Sequence, residues 1–429
     1  MLSKKKRFSN FSNAVDTTSS CFRPDNERQI EALCSNTDHV DLLARGNGSS
    51  YSHCCVNDRG LIIDVRRLNH LIDFDEATGL LICQGGVTFA DLFLVHPEYI
   101  PPVIPGTLAA TVAGGVANDV HGKNNPHAAS FGQHIQWLEL QLGNQSLHCS
   151  PAENADLFYA TIGGLGLTGI IKRVAITMRK APHFVRVETE KYSDFESLLE
   201  RMRQGGCNYD YQVAWLDLLN KPSALLSLAN YTEMKTPFSQ SKLTVPKLPL
   251  RLIDPWLMKQ FNRYHFKKNH AQNEVLALQQ FNNPLDSISH WNRLYGKKGF
   301  LQFQALFDEE TAVSTLEQLL RLIQGSQATA TLAVLKYFTK KGPGLLSFVR
   351  PGFTLAIDFI NNQSAKDLVS KMNEWISNQG GRIYLAKDLL LTATQFKQQY
   401  PQNEQFSKLL KDYKSEMRSD LSQRLGLTG

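Results

Sequence analysis

No run of about 18 uncharged apolar residues occurs in this 429-residue chain, which excludes a membrane-spanning helix. The basic start, Met1-Leu-Ser-Lys-Lys-Lys-Arg7, runs into Phe8-Ser-Asn-Phe-Ser-Asn13 rather than an apolar core, so no secretory signal is expected. A strong excess of one charge is also missing. Lys and Arg number 46 against 40 Asp and Glu, so composition gives no argument for nucleic acid, and Lys4 to Arg7 read as a solvated tail. No C-x-x-C occurs among the seven cysteines, Cys21, Cys34, Cys54, Cys55, Cys83, Cys149 and Cys207. The set is odd in number and confined to the first half, which predicts reduced core or loop thiols rather than a disulfide frame or a zinc site. No histidine spacing suits a metal, so none is expected. Repeats and low-complexity tracts are absent too, leaving a multi-domain enzyme-like chain, long enough for large cores.

The first third has short apolar runs broken by glycines. Val40 to Ala44, Gly60 to Val65 and Leu80 to Gln84 read as strands, and Thr88 with Asp91 reads as a capping box opening a helix toward His96. Ser150-Pro-Ala-Glu153 predicts a second helix start, ending at Gly163-Gly164, and Ile170 to Met178 reads as a strand. After Ala181-Pro182 the character changes to alternating strands and amphipathic helices. Val313, Leu316, Leu320 and Ile323 share one helical face, and Leu368, Met372, Trp375 and Ile376 another. The stretch 235–269 is the least regular, and a mostly helical segment begins near Arg382.

Three glycine-rich sites are candidates for ligand binding. Arg45-Gly-Asn-Gly-Ser-Ser-Tyr51 follows a strand directly, so successive N–H groups can form an anion nest, although a surface turn would look the same. Gly106 to Gly122 is almost wholly Gly, Ala, Val and Thr, which permits close approach of backbone to a flat ligand or, alternatively, a tightly packed strand pair. Gly164-Leu-Gly-Leu-Thr-Gly169 matches the nicotinamide-dinucleotide fingerprint, but a helix precedes it and a strand follows. That is the inverse of what the pyrophosphate site needs, and the Rossmann reading is rejected.

On the later strands, Gln302 and Gln304 share a face, Lys336 stands in an otherwise apolar run, and Thr354, Ala356 and Asp358 align. Such a Gln/Lys/Thr front could hydrogen-bond a sugar, or be an ordinary solvated sheet face.

Ile104-Pro-Gly-Thr107, Asp119-Val-His-Gly-Lys-Asn124, Ser130-Phe-Gly132, Asp156 to Gly164, Gly166 to Ile171, Gly299 to Gln304, Ala386-Lys-Asp388 and Ser419-Asp420 with Arg424 follow one another in this order. The chain so resembles the decaprenylphosphoryl-β-D-ribose 2′-oxidase family, within the vanillyl-alcohol oxidase or p-cresol methylhydroxylase-type superfamily. The resemblance implies a two-domain α+β flavoenzyme. It comprises an FAD-binding domain over 1–183, an antiparallel-sheet substrate domain with flanking helices over 184–381, and a C-terminal segment, 382–429, returning to the FAD domain.

It also implies FAD as cofactor and oxidation of a secondary sugar hydroxyl by hydride transfer to flavin N5, the C2′ hydroxyl of a polyprenyl-phosphate-linked pentose first. A short-chain reductase partner would then complete an epimerisation in cell-envelope chemistry. An aldonolactone or alditol oxidase is the alternative within the class, and a non-turnover flavin- or lipid-binding protein the alternative outside it. By residue, the resemblance gives Arg45, Gly46, Asn47, Gly48, Ser49, Ser50 and Tyr51 to the pyrophosphate. It gives Gly106, Thr107, Thr111, Gly114, Ala117, Asn118, His121 and Gly122 to the flavin and ribityl chain, Ile170 to the adenine half, and Tyr384 and Lys387 to the flavin. Lys123, Gln302, Gln304, Lys336 and Thr354 fall to the substrate, and Lys387, Tyr51 and His121 are the catalytic candidates. Lys387 would stabilise charge arriving on the flavin or hold the reacting hydroxyl.

Ser49 stands where many superfamily members tether FAD through histidine, so non-covalent FAD is expected. Ala356 and Thr354 stand where mycobacterial-type members have cysteine and asparagine. Leu243 to Lys268 mixes Leu, Trp and basic residues, which suits a contact with a membrane surface or a lid over the site. A cytoplasmic protein, peripheral at the inner membrane face, is the corresponding expectation.

Overall fold

Why the chain makes mostly antiparallel sheets is visible in its alternation. In the strand Ala330–Phe338 the odd positions Ala333, Leu335 and Tyr337 are buried, while Leu332, Val334 and Lys336 between them are half-buried. The computed structural model describes residues 3–35, 41–206, 208–237, 243–247, 251–268 and 273–428. A four-stranded sheet runs Lys4–Ser9, Asp16–Phe22, Leu61–Asp64, Leu42–Arg45, its last two pairings parallel. A five-stranded antiparallel sheet runs Leu71–Asp75, Leu80–Gln84, Ile170–Thr177, Ile135–Leu142, Gln145–Cys149.

The largest sheet has eight antiparallel strands: Asn273–Ala277, Phe184–Tyr192, Ser223–Tyr231, Tyr211–Asp217, Ala330–Phe338, Gly352–Ile360, Phe300–Phe307 and Arg382–Ile383. One face of it buries Phe303, Ala305, Leu335, Leu355 and Ile357 in a cluster with Leu198 and Met202 of the helix Phe195–Gly205, Leu316 and Leu320 of Ala312–Gln324, and Leu368 and Met372 of Gln363–Asn378. The other face carries Gln302, Gln304, Lys336, Thr354 and Asp358.

The C-terminal segment touches both the eight-stranded and the four-stranded sheet. Arg382–Ile383 adds an edge to the eight-stranded sheet, and 416–418 then lies against Leu42, with Leu42 N donating to Glu416 O at 3.0 Å and Arg418 N to Leu42 O at 2.7 Å. Asp388, its side chain almost wholly buried, accepts from Leu390 N and Leu391 N and pairs with Arg424 at 2.6 Å. Removing one partner of a buried pair strands the other charge. Arg424→Leu is therefore expected to cost about 3 kcal/mol, read as a lower midpoint in urea unfolding.

Several local expectations hold and two change. Leu80–Gln84 is a strand, and Thr88 with Asp91 forms the capping box, although the helix is short, Phe89–Leu92. Ser150 does not open a helix. Its hydroxyl accepts from Ala152 N and Glu153 N, closing a local turn that competes with helix, and the helix is Ala155–Thr161. The irregular stretch contains a 14-residue helix, Pro255–Lys268, with proline at its first position. Val40 and Cys207 lie outside the described residues, as do 238–242, 248–250 and 269–272 of the irregular stretch. Cys21, Cys34, Cys54, Cys55, Cys83 and Cys149 are free thiols.

Candidate active site

The loop after the strand Leu42–Arg45 is shaped by its first residue. The Arg45 guanidinium donates to the carbonyls of Cys55 and of Ser9, the latter at 2.7 Å, so its charge braces the loop from behind and the backbone is what faces outward. Gly48 has φ +65, and a Cβ there would stand 2.0 Å from Arg45 Nη2. A Cβ on Gly46 would stand 2.3 Å from Thr111 Oγ1, so this loop and the small-residue stretch touch through a glycine. Asn47 Nδ2 donates to Ala109 O at 2.7 Å and adds a second tie. Ser50 Oγ and Tyr51 N both donate to Ala386 O, at 2.6 and 3.1 Å, which brings Lys387 onto the same loop. Ser49, half-buried, presents no nucleophilic ring nitrogen.

The stretch 106–122 is a turn followed by a helix, not a strand pair. Thr107 Oγ1 and Leu108 N donate to Asp286, at 3.3 and 2.8 Å. A Cβ on Gly106 would meet nothing within 4 Å, so the backbone borders open space. Thr111 caps the helix Val112–Ala117 by accepting from Gly114 N. Asn118 Nδ2 donates to Gly114 O, and Tyr384 OH donates to Asn118 O at 2.9 Å. Ala117 is buried, and Gly122 is pressed against Ile104, where a Cβ would lie 3.0 Å from its carbonyl oxygen. Ile170 belongs to a buried cluster with Leu42, Ile63 and Met417.

His121 projects from this stretch into an aromatic cage of Phe338, Phe348 and Tyr384, with ring centroids 4.9, 5.6 and 5.2 Å away. Its Nε2 lies 2.9 Å from Gln304 Nε2, and Gln304 also reaches Thr354 Oγ1 at 3.3 Å. Strand register sets Gln304 opposite Ala356, and Thr354 opposite Lys336. Lys387 Nζ sits 3.3 Å above the Tyr51 ring, which packs on Phe11 and Phe300. Lys123 Nζ donates to Phe281 O at 2.6 Å.

Burial dominates the electrostatics here. It pushes Lys123 down to about 7, with Lys336 adding to the shift, and Lys336 down to about 8. Both lysines are half-buried, desolvated enough to titrate low. Lys387 is lowered by burial and by Lys336, and pulled back up by Asp358. Asp358 is raised by burial and restrained by Gln302 and Lys387. Burial also holds the His121 imidazole neutral and the Tyr51 phenol protonated at neutral pH, which makes Tyr51 a donor there rather than a base.

The FAD binding domain family matches residues 19–150, which contain the glycine loop and the small-residue stretch. The decaprenylphosphoryl-β-D-ribose oxidase of Mycolicibacterium smegmatis is 33% identical over 412 aligned residues, 90% of this chain and 89% of that one. The chain belongs to the decaprenylphosphoryl-β-D-ribose oxidase family. It is an FAD-dependent oxidoreductase. More partial similarity reaches cytokinin dehydrogenase 9 of Oryza sativa, 38% identical over 38% of this chain and 32% of that one, and a putative D-arabinono-1,4-lactone oxidase of Neurospora crassa, 30% identical over 38% and 29%.

The residues present fit the cofactor of this oxidase family. Gly106 borders open space, and the bare backbone at Gly46 and Gly48 lets the loop lie against Thr111 and Arg45 where any side chain would clash. The structure brings together Tyr51, Asn118, His121, Gln304, Lys336, Thr354, Tyr384 and Lys387. It sets the Arg45 side chain and Ile170 behind the surface they were expected to form. The sequence aligns Asp358 with Thr354 and Ala356 but gives it no role, because a charged residue in an alternating strand reads as solvent-facing, whereas here it is 1% exposed.

Proposed function

We propose that this chain oxidises the C2′ hydroxyl of a pentose carried on a polyprenyl phosphate, with FAD held non-covalently. One observation carries the reading: Lys336 is close enough to Lys123 and to Lys387 to act on both, so three desolvated lysines gather about one site with Asp358 beside them. A surplus of desolvated ammonium groups suits an anionic headgroup and not a neutral lactone or alditol. The bound FAD supplies the hydride acceptor. Lys387 holds the reacting hydroxyl and offers positive charge where negative charge develops. Lys336 and Lys123 hold the phosphate, and Gln302, Gln304 and Thr354 hydrogen-bond the sugar. Neutral His121, fixed by Gln304 and its aromatic cage, excludes water and orients the ring face. Residues 1–183 with 382–429 would form the FAD domain around a substrate domain of 184–381. The ketone product needs a hydride-donating reductase to become an epimer, which supplies the partner's class.

Anion binding of this kind has a pH signature. Lys123 and Lys336 lose their protons between pH 7 and 9, so positive charge at the site falls as pH rises. The KM for a phosphoryl-ribose substrate is expected to rise about tenfold over that range, and Lys336→Met to raise it at pH 7 and flatten the remaining rise. Equal KM values for phosphorylated and unphosphorylated ribosides would reject the reading.

A lipid-linked substrate also implies a surface beside the membrane. No helix among the described residues is long and apolar enough to cross one. The helix Pro255–Lys268 packs inward through Asn262, bonded to Asp217, and His265, against Trp215, while exposing Trp256, Leu257, Phe261 and Tyr264. Arg251, Lys259, Arg263, Lys267 and Lys268 lie close to that apolar row in the sequence, a combination that supports a peripheral position at an anionic inner leaflet. The double change Trp256→Ser with Phe261→Ser is expected to cut flotation with anionic phospholipid vesicles by about tenfold. Unchanged flotation would leave the helix as a lid over the site.

A further inference from the structure

The turn at Gly106 is gripped from far along the chain. Within 101–108 only Gly106 is exposed, while Pro105 and Leu108 are buried and Thr107 is half-buried. A Cβ on Gly106 would meet nothing within 4 Å, so bare backbone stands open at the crest of the turn. Each shoulder of that turn is held by a side chain 178 residues further on. Asn283 Nδ2 donates to Pro105 O at 2.7 Å, and Asp286 Oδ2 accepts from Leu108 N at 2.8 Å and from Thr107 Oγ1 at 3.3 Å. Thr107 Oγ1 also accepts from Ala109 N at 3.2 Å, so its hydroxyl is committed on both sides.

Both grips sit on one short turn. Asp286 N donates to Asn283 O at 3.0 Å, and Pro284 opens the turn Pro284–Ser287 with its fixed φ. The segment just before it is anchored. Leu278 and Phe281 are buried, Leu278 N donates to His183 O at 2.8 Å, and Lys123 Nζ donates to Phe281 O at 2.6 Å. An ammonium has three donors, so that tie leaves Lys123 two for an anion.

We infer that Asn283 and Asp286 are positioning residues for the cofactor, a clasp that fixes the Gly106–Thr107 peptide where it faces the flavin. The inference rests on reading Gly106 and Thr107 as flavin-facing and does not depend on which sugar is oxidised. A carboxylate that accepts from a backbone N–H and a hydroxyl together sets both the peptide direction and the Thr107 rotamer. The clasp follows Asn273–Ala277, the edge strand of the eight-stranded sheet, so the flavin surface is completed by residues remote from the glycine loops in sequence.

The test is the rate of FAD release from the full-length holoprotein, read as flavin fluorescence after dilution, with visible circular dichroism of the bound flavin recorded beforehand. Asp286→Ala is expected to release FAD about tenfold faster and to alter the dichroism band, and Asn283→Ala to release it about fivefold faster. Asp286→Asn, which can still accept from Leu108 N, is expected to restore release to within about threefold of the parent. Should Asp286→Ala not fold, Asn283→Ala decides. Release within twofold of the parent in the alanine variants overturns the proposal. Faster release with an unchanged dichroism band overturns it too, because the pair would then serve stability alone. No sugar enters the measurement, so the expected release rates in a chain that ignores phosphoryl-ribosides keep the clasp and reject only the substrate reading.

Discussion

Lys387→Met is expected to leave FAD bound and to slow its reduction by substrate about a thousandfold, a loss in the range of a positioned acid–base or charge-stabilising group. The argument starts from placement. Ala386 O receives hydrogen bonds from Ser50 Oγ and Tyr51 N, so the main chain at Lys387 is riveted to the glycine loop and does not depend on the lysine side chain. Its Nζ lies on the Tyr51 ring face, and methionine has a similar stem and can pack there without the charge. The cofactor site therefore survives, and the cation alone is removed. Stopped-flow absorbance under anaerobic conditions reads the rate, and a KM change smaller than the rate change would mark an interaction made mainly in the transition state. A reduction rate within a factor of three of the parent would remove Lys387 from the mechanism.

Gly46→Ala addresses the cofactor rather than the chemistry. The added methyl would sit 2.3 Å from Thr111 Oγ1 and 2.8 Å from Thr111 Cγ2. Thr111 cannot simply turn away, because its hydroxyl caps the helix Val112–Ala117 and is buried. Either the cap breaks or the loop lifts from the small-residue stretch, and both open the surface that the FAD backbone contacts require. Overpacking of this kind costs about 2 kcal/mol, so FAD affinity is expected to fall about thirtyfold, read by fluorescence titration of apoprotein. Gly143→Ala is a control for strain without a clash: φ is +52 there, so the methyl costs about 1 kcal/mol of stability, but it meets nothing within 4 Å in its turn between two strands and FAD affinity is expected to be unchanged.

These outcomes show what the sequence makes legible. Inverted order around Gly164 to Gly169 correctly separates this chain from nicotinamide folds. The helix Ala155–Thr161 precedes that run and the strand Ile170–Thr177 follows. Alternation likewise places Gln304, Lys336 and Thr354 on one face, and the register brings them together. Side-chain direction in loops is harder to read. The resemblance implies Arg45 as a pyrophosphate ligand, yet its planar fork is used on the carbonyls of Cys55 and Ser9. Proline-rich composition hid the helix Pro255–Lys268, because a proline that begins a helix and one that forbids it look alike in sequence. Asp358 needed the third dimension. Only its burial, with Gln302 donating to Oδ1, sets it apart from an ordinary strand carboxylate.

The most direct test of the account is anaerobic mixing of the purified yellow protein with a short-chain polyprenylphosphoryl-ribose, unlabelled and deuterated at C2′. The account predicts bleaching of the flavin band, slower by several-fold with the deuterated sugar, and no comparable bleaching with aldonolactones or alditols. Bleaching at the same rate with both isotopologues, or bleaching by free lactones alone, would contradict it.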